Sequence, residues 1–230
     1  KAARIALVEP SDSQECLDFM KEAYRISEEF DMPVLFRVTT RVSHSKSLVV
    51  TGKREEAAAE PYQKNTRKYV SVPANAYQNH PKVEENLRRL AEYGETSALN
   101  KMVLRGKKIG VITASIAYQY AEDAFPKDTS FLKLGLTYPL PMKLIRDFAS
   151  KVETLYVIEE LEPFMEEQIK AAGIPCVGKE FTGNLYELNP QLLSERIFQR
   201  RAPTVDVGVQ AVSRPPALCP GCPHRGFFYI

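Results

Sequence analysis

The feature that most constrains the fold is a regular alternation of apolar runs and helix-like segments after Lys107. The runs KIGVIT, SFLKLGL, TLYVIEE and IPCVG are short and aliphatic, as buried strands are. The segments between them place apolar residues at helical spacing. Strands that alternate with helices predict a doubly wound α/β domain, with a mainly parallel sheet and helices on both faces. We expect its strands near residues 108–113, 130–135, 154–158 and 174–177.

The first 45 residues predict a smaller unit of strand, helix and strand. An apolar run from Arg4 to Glu9 is followed by Ser11 and Gln14, which have the spacing of a capping box. The run VLFRV at 34–38 follows Pro33 and predicts a second strand. So short a crossover implies parallel pairing. The apolar face of the intervening helix is expected to contain Cys16, Phe19, Met20, Ala23, Ile26 and Phe30.

Residues 46 to about 104 have a different character, because they are charged, interrupted by prolines and weakly periodic. We expect an extended connection that lies over a neighbouring domain, with His80 in a loop before Pro81. A helix should follow, with one face formed by Val83, Leu87, Leu90 and Ala91.

Composition excludes several classes of protein. The formal net charge of +2 gives no electrostatic reason to expect nucleic acid as a partner. No apolar run approaches the roughly 20 residues of a membrane span, and no signal-peptide core opens the chain. Four cysteines are too few for a disulfide scaffold, so the expected location is a reducing cytoplasm. The strand-like start and the apolar end GFFYI suggest an internal fragment of a longer polypeptide.

The sequence CPGCPHRG near the end is the most distinctive chemical motif. Zinc needs about four ligands and an iron–sulfur cluster needs four thiolates, whereas only Cys219, Cys222 and His224 lie together here. Pro220 and Pro223 stiffen the turn, and Gly221 allows a ligand to approach the backbone closely. A structural turn, a metal site and a cofactor-facing loop all remain open.

A second motif, TTRVSHS, follows the strand at 34–38, at the sheet edge where ligands bind in open α/β folds. Arg41 suits a carboxylate or a phosphate, and Ser43 and His44 add polar groups. The alternative is a solvated loop.

The acidic run at the end of the strand TLYVIEE predicts a structural role. Glu159 and Glu160 are adjacent on a strand and point to opposite faces, so they cannot act together as an acid–base pair. A structural role or a salt bridge between domains is expected for these residues and for Glu162.

Taken together, several segments resemble the thiamine-diphosphate-dependent 2-oxoacid:ferredoxin oxidoreductase family, in particular its indolepyruvate branch. The segments are RVTTRVSHS, YVSVPANA, VITASIAYQYA, LKLGLTYPLP, EELEPFMEEQIKAAGI and RPPALCPGCPHRG, which occur in this order.

The resemblance implies four parts of one subunit. Residues 1–45 would end the domain that binds the pyrimidine of thiamine diphosphate, and 46–104 would be a linker and helix. Residues 105–200 would be a transketolase C-terminal-like domain, and 201–230 would lead into the diphosphate-binding domain. Ala114–Ser115 stands where the family often has a glycine, which puts a close ligand approach there in doubt.

The resemblance also implies roles for individual residues. Cofactor binding would fall to Cys219, Gly221, Cys222 and His224, while Arg41, Ser43 and His44 would lie near the substrate. The catalytic and metal-binding residues would lie outside this chain.

The implied reaction is oxidative decarboxylation of aryl pyruvates to acyl-CoA. Its cofactors would be thiamine diphosphate with Mg²⁺ and iron–sulfur clusters, none of them expected on this fragment, which should be inactive alone. A beta subunit, ferredoxin, coenzyme A and an aryl 2-oxoacid would be its partners. The alternative from another class is a non-enzymatic zinc-binding or assembly module that uses Cys219, Cys222 and His224.

Overall fold

The computed structural model describes residues 3–54, 56, 61–203, 205, 208–209, 218 and 221–228. Within these ranges seven strands form two sheets, and helices cover them. In chain order the elements are β1 (Ala6–Val8), α1 (Ser13–Glu29), β2 (Val34–Phe36), α2 (Thr40–His44), α3 (Thr66–Tyr69), α4 (Pro73–Gly94), β3 (Lys101–Val103), β4 (Ile109–Ala114), α5 (Ile116–Ala124), β5 (Ser130–Leu134), β6 (Leu136–Tyr138), α6 (Met142–Ala149), β7 (Thr154–Ile158), α7 (Phe164–Ala171), α8 (Lys179–Thr182), α9 (Pro190–Phe198) and α10 (His224–Phe228).

The larger sheet has the strand order β3-β5-β4-β7, with β4 parallel to both β5 and β7. Paired residues alternate between its faces. Ile112 and Leu132 pack with α6 and α7, whereas their neighbours Val111 and Phe131 pack with α5 and α9. Both faces are therefore buried, which confirms the predicted α/β fold with helices on both sides of a parallel sheet.

The edges of this sheet differ from the sequence prediction. The expected strand at 174–177 is reduced to a single bridge between Val177 and Tyr156, in part because Pro175 has no N–H to donate. On the other edge, β3 pairs antiparallel with β5. That strand was not predicted, because it lies at the end of a segment without clear periodicity.

The smaller sheet has the order β2-β1-β6. The predicted parallel βαβ unit is present, with Ala6 opposite Val34. Helix α1 buries Phe19, Ala23 and Ile26 against the sheet, while Met20 from the expected apolar face is 39% exposed. The strand β6, which pairs antiparallel with β1, was not predicted.

The cap of α1 lies one residue later than the capping box predicted. Asp12 accepts a hydrogen bond from the Glu15 N–H at 2.8 Å, and Glu15 in turn accepts from the Ser11 N–H at 2.9 Å. A carboxylate in the first turn also complements the helix dipole, which favours this arrangement over one built on Gln14.

The connection before the larger sheet is more regular than predicted. Helix α4 begins at Pro73 and continues through Pro81, so His80 lies in a helix and not in a loop. Leu87 and Leu90 are buried as predicted, but Val83 is 40% exposed.

Gly135 joins the two sheets, since β5 in the larger sheet leads directly through it into β6 in the smaller one. The Asn100 side chain accepts hydrogen bonds from the N–H groups of Gly135 and Leu136, at 3.0 and 3.1 Å. A Cβ at Gly135 would lie 2.4 Å from the Leu99 carbonyl oxygen and 2.6 Å from the Phe19 ring. The joint therefore requires glycine.

Among the described residues, no helix is both long and apolar enough to cross a membrane.

Candidate functional site

A groove lies between the two sheets, beside the ends of β1, β2, β4 and β7. These strands are parallel within each sheet, and the carboxyl ends of such strands are where ligands bind in open α/β folds. One part of the groove encloses about 320 Å³, and an adjoining part of about 330 Å³ shares Arg37, Thr39, Glu160 and Leu161 with it. The remaining residues that line the groove are Leu7, Glu9, Val38, Thr40, Arg41, Ala114, Ser115, Ile116, Ala117, Glu159, Glu162, Phe164, Met165, Tyr186 and Glu187.

A buried carboxylate ties three strands together at one end of the groove. Glu9, only 6% exposed, accepts a hydrogen bond from the Thr137 hydroxyl at 2.6 Å and pairs with the Arg37 guanidinium at 3.1 Å. Thr137 lies on β6, whereas Glu9 and Arg37 directly follow β1 and β2. Both oxygens of the carboxylate are therefore engaged, and the group fixes the geometry of the smaller sheet.

Ser115 forms the turn from β4 into α5 with a backbone conformation that is normally reserved for glycine. Its φ is 52° and its ψ is −146°. Such a conformation in a residue with a side chain stores roughly 1–3 kcal/mol and is found mostly at functional sites. The Ser115 hydroxyl donates to the Pro10 carbonyl at 3.2 Å, so this turn also links the two sheets. Glycine would adopt this backbone conformation without strain, whereas serine meets it here at a cost.

On the opposite wall of the groove, the Glu159 side chain binds the first N–H groups of helix α7. Its carboxylate accepts from the N–H groups of Met165 and Glu166 at 2.8 and 2.9 Å, at the start of α7. Burial raises the pKa of the Glu159 carboxyl above its ordinary value, although these two hydrogen bonds oppose the rise. The Lys179 ammonium donates to the Glu159 carbonyl at 2.5 Å, and its own burial lowers the pKa of Lys179.

Glu160 and Glu162 show how the rest of this acidic run is used. Glu160 accepts from the Leu188 N–H at 3.0 Å, and Glu162 is exposed. Glu159 and Glu160 thus bind separate backbone groups, in agreement with the structural role expected from the sequence. Because the groove carries five glutamates, and its two arginines Arg37 and Arg41 are both paired with carboxylates, its charge disfavours a bound anion.

The predicted substrate residues lie on α2, a short helix, and the alternative that the sequence left open was a solvated loop. Thr39 caps this helix. Arg41 borders the groove, but its guanidinium donates to the Glu187 carboxylate at 2.6 Å, which raises the pKa of Arg41. Ser43 and His44 are exposed and do not line the groove. Of the three residues, the structure brings only Arg41 to the groove.

The CPGCPHRG motif is described in part, and Cys219 lies outside the described residues. Gly221 has a φ of 76°, and the Cys222 thiol lies 3.4 Å from His224 Nδ1. Gly221 and His224 are exposed, and none of the three residues lines the groove. A Cβ at Gly221 would meet nothing within 4 Å. The described part of the motif therefore does not enclose a space that fits thiamine diphosphate.

The described residues also do not assemble a metal site. No group of three or more histidine, cysteine, aspartate or glutamate side chains within this part of the chain could hold an ion. Cys16 and Cys176 lie apart in α1 and beside β7, and burial raises the pKa of the Cys176 thiol to about 11.

Sequence reasoning missed Glu9, Arg37 and Thr137 as groove residues. Each follows or lies within a short strand, so the only signal was a polar residue at a strand's end. The pairing of β1 with β6, which brings Glu9 to Thr137, has no local signature because more than a hundred residues separate the strands.

No family model matches the chain. Over its whole length, however, the chain is 36% identical to the indolepyruvate oxidoreductase subunit IorA of Methanothermobacter thermautotrophicus and 31% identical to that of Pyrococcus horikoshii. The alignment covers 40% of each of these relatives. The chain belongs to this family of oxidoreductase subunits.

The fold of this IorA-family chain is also found in a solved structure. A 2-oxoglutarate:ferredoxin oxidoreductase from Magnetococcus marinus, determined with 2-oxoglutarate, coenzyme A and succinyl-CoA bound, matches with a TM-score of 0.57. The match covers 84% of this chain and 42% of that one, at 12% sequence identity. At this identity the likeness establishes a shared fold.

Proposed function

We propose that this chain forms part of an indolepyruvate:ferredoxin oxidoreductase subunit. In the proposed reaction an aryl pyruvate loses carbon dioxide, its acyl group passes to coenzyme A, and the released electrons reduce ferredoxin. The observation that carries the proposal is sequence similarity to IorA subunits along the entire chain. Since the chain spans about 40% of those relatives, the activity is assigned to the whole enzyme.

The proposed role of the described residues is to build a wall of the active site. Of the five carboxylates that line the groove, all but Glu162 are engaged with N–H, hydroxyl or guanidinium donors. The groups are therefore arranged to hold two sheets at a fixed angle. We accordingly expect the 230 residues alone to show no turnover.

The division into parts inferred from the sequence belongs to the same proposal. Residues 1–45 would complete a pyrimidine-binding domain, and 46–104 would connect it to the transketolase C-terminal-like domain at 105–200. Residues 201–230 would lead into the diphosphate-binding domain. Strand β6 then pairs with β1 across the third and first parts, and β3 pairs with β5 across the second and third, which supports a close association of these parts.

The proposed cofactors are thiamine diphosphate with Mg²⁺ and iron–sulfur clusters in the complete enzyme. Thiamine diphosphate supplies carbanion stabilisation when it is bound. Because the described part of CPGCPHRG does not enclose it, groups from elsewhere in the enzyme would have to complete the site with Cys219, Gly221, Cys222 and His224. The proposed partners are a beta subunit and ferredoxin, and the proposed location is the cytoplasm.

The test uses the complete enzyme with His224→Ala, measuring indolepyruvate-dependent reduction of ferredoxin, affinity for thiamine diphosphate and iron content. We expect lower activity or cofactor affinity at unchanged iron content. A matched control is Arg225→Ala, one residue further along the exposed helix α10. Normal turnover and cofactor affinity in His224→Ala would contradict a cofactor-facing role for the motif.

One contact favours a second candidate, a zinc-binding or assembly module. The Cys222 thiol and the His224 imidazole lie 3.4 Å apart, so the two could bind one ion with Cys219. Stoichiometric zinc in the purified enzyme, lost in Cys222→Ala, would favour this candidate over the cofactor-facing loop.

A further inference from the structure

The groove between the two sheets has the walls of a pocket for a small molecule. Its first part encloses about 320 Å³, which lies within the usual range of ligand sites. The side chains of Leu7, Ile116, Phe164 and Met165 line this part, so most of its surface is apolar. The adjoining part adds the ring of Tyr186, which is 84% exposed. An aromatic or aliphatic body would therefore be covered in this groove.

The charge of the groove selects among such ligands. Its lining side chains include five carboxylates and two guanidinium groups, a formal excess of three negative charges. Both guanidinium groups are already paired with carboxylates. No described lysine or histidine lines either part, so an anionic ligand would find no uncommitted cation there. A positively charged group would instead be stabilised by the excess negative charge.

Two carboxylates offer acceptor atoms to a positively charged group. Glu162 is exposed at the groove, and its carboxylate takes part in no hydrogen bond or ion pair with the described residues. The Lys179 ammonium acts on Glu162 only at longer range, because it donates to the Glu159 carbonyl. Glu160 accepts from the Leu188 N–H through Oε1, while its Oε2 accepts from no donor in the described part of the chain. Glu160 and Glu162 both lie between β7 and α7.

A metal ion does not fit this arrangement. No group of three or more potential ligands among the described residues could hold one, and an ion would leave the apolar walls uncovered. An ammonium group on an apolar body would use both features of the groove. Aromatic rings such as those of Phe164 and Tyr186 also attract organic cations.

We propose that the groove binds an aromatic amine. The ring of the amine lies between the apolar walls, and its ammonium group donates to the carboxylates of Glu160 and Glu162. An enclosed space of this size suits a small molecule better than a peptide chain. The bound amine contacts both sheets, since Leu7 belongs to β1 and Ala114 to β4. This site goes beyond the reaction proposed above, whose 2-oxoacid and acyl-CoA are anions.

Three probes that share one ring test the charge of the ligand. Tryptamine is a cation, tryptophol is neutral and indole-3-acetate is an anion. Calorimetry measures the binding of each probe to the complete enzyme, with and without added thiamine diphosphate, and needs no turnover. We expect tryptamine to bind at least about tenfold more tightly than indole-3-acetate, with tryptophol between them. Added salt should weaken the binding of tryptamine and leave that of tryptophol unchanged.

Absence of tryptamine binding, or equal affinities for the cation and the anion, would overturn the proposal. Loss of tryptamine binding on addition of thiamine diphosphate would overturn it too, because the amine would then occupy the cofactor site.

Substitutions assign the binding to the groove. Glu162→Gln keeps the shape of the side chain and removes an exposed charge, so the fold should be unaffected. We expect the dissociation constant for tryptamine to rise about threefold in this variant. In Glu160→Gln with Glu162→Gln it should rise about tenfold, since the amide at position 160 can still accept from the Leu188 N–H.

The matched control is Glu167→Gln, which changes an exposed glutamate of α7 that does not line the groove. Its dissociation constant for tryptamine should stay within about twofold of that of the unaltered enzyme. An unchanged dissociation constant in either groove variant, or an equal loss in the control, would overturn the assignment of the amine to this groove.

Discussion

The groove between the sheets and the segment Gly221–Phe228 use their polar residues in opposite ways. In the groove, the Glu9 carboxylate is buried and engaged on both oxygens, and Glu159 binds two N–H groups. In the segment, His224 is exposed, and Phe227 and Phe228 are 80% and 70% exposed. The most distinctive sequence motif thus has the more exposed residues, whereas three residues that hold the groove together, Glu9, Arg37 and Thr137, were not singled out from the sequence.

This difference shows that a sequence motif can contain suitable residue types without the packing that holds them in the geometry of a site. CPGCPHRG supplies suitable groups, but its described residues have little packing that would fix their positions. The groove has fixed positions, but its groups are already bound to one another. If the two belong to one active site, as we propose, the groove supplies fixed positions and the motif supplies side chains that are still able to bind a cofactor.

The largest expected effect comes from Gly135→Ala, at the joint beside the groove. The new Cβ would overlap the Leu99 carbonyl and the Phe19 ring, so the sheets must shift. We expect a loss of about 3 kcal/mol in the free energy of unfolding, measured by urea denaturation. Gly226→Ala is the matched control, since a Cβ there meets nothing within 4 Å. Equal stability of the two variants would mean that the joint is not rigid.

Glu9→Gln should have the next largest effect. The amide keeps the shape but cannot accept from both Thr137 and Arg37 as a carboxylate does, so we expect a loss of about 1–3 kcal/mol. The control is Glu84→Gln, which removes an ion pair with Arg4 that is about half exposed and should cost less than about 1 kcal/mol. Similar losses from both variants would remove the distinction between the groove and the surface.

The free energy of unfolding, measured as a function of pH, should reveal the raised pKa of Glu159. Burial raises the pKa of this carboxyl in the folded protein above its ordinary value of 4.5, so the folded state binds more protons than the unfolded state in that window. Stability should therefore fall as the pH rises from 4.5 through the raised pKa, and level off above it. Glu159→Gln should lack this contribution, so the difference between it and the unaltered chain should change across the window. A constant difference would show that Glu159 is solvated.

The smallest effect on stability is expected for Cys222→Ala and His224→Ala. The Cys222 thiol lies beside the imidazole of His224, which is exposed, so each substitution should change the free energy of unfolding by less than about 0.5 kcal/mol. In the complete enzyme the same variants should lower activity or cofactor affinity. A large loss of stability in the 230-residue chain would show instead that the segment is packed against the groove side of the molecule.

Some elements were predictable because their signal is local. Apolar runs predict strands β4, β5 and β7. Apolar residues at helical spacing predict the helices between these strands. The βαβ unit at the start was predictable for the same reason. Strands β3 and β6 are only three residues long, and each is a strand because of a distant partner. The start of α4 was missed because Pro73 and Pro81 read as helix breakers, although proline is favourable in a first turn.

What the sequence determined by itself is the alternation that produces a doubly wound sheet, together with the likeness to IorA subunits, since both are written in consecutive residues. The tertiary structure decided where the groove lies and which polar groups it uses. Glu9 meets Thr137 only because β1 pairs with β6, and Ser115 reaches Pro10 only because the two sheets meet at Gly135. Contacts of this kind depend on how separate elements pack, and the free energy of that packing is not encoded in any short stretch of the chain.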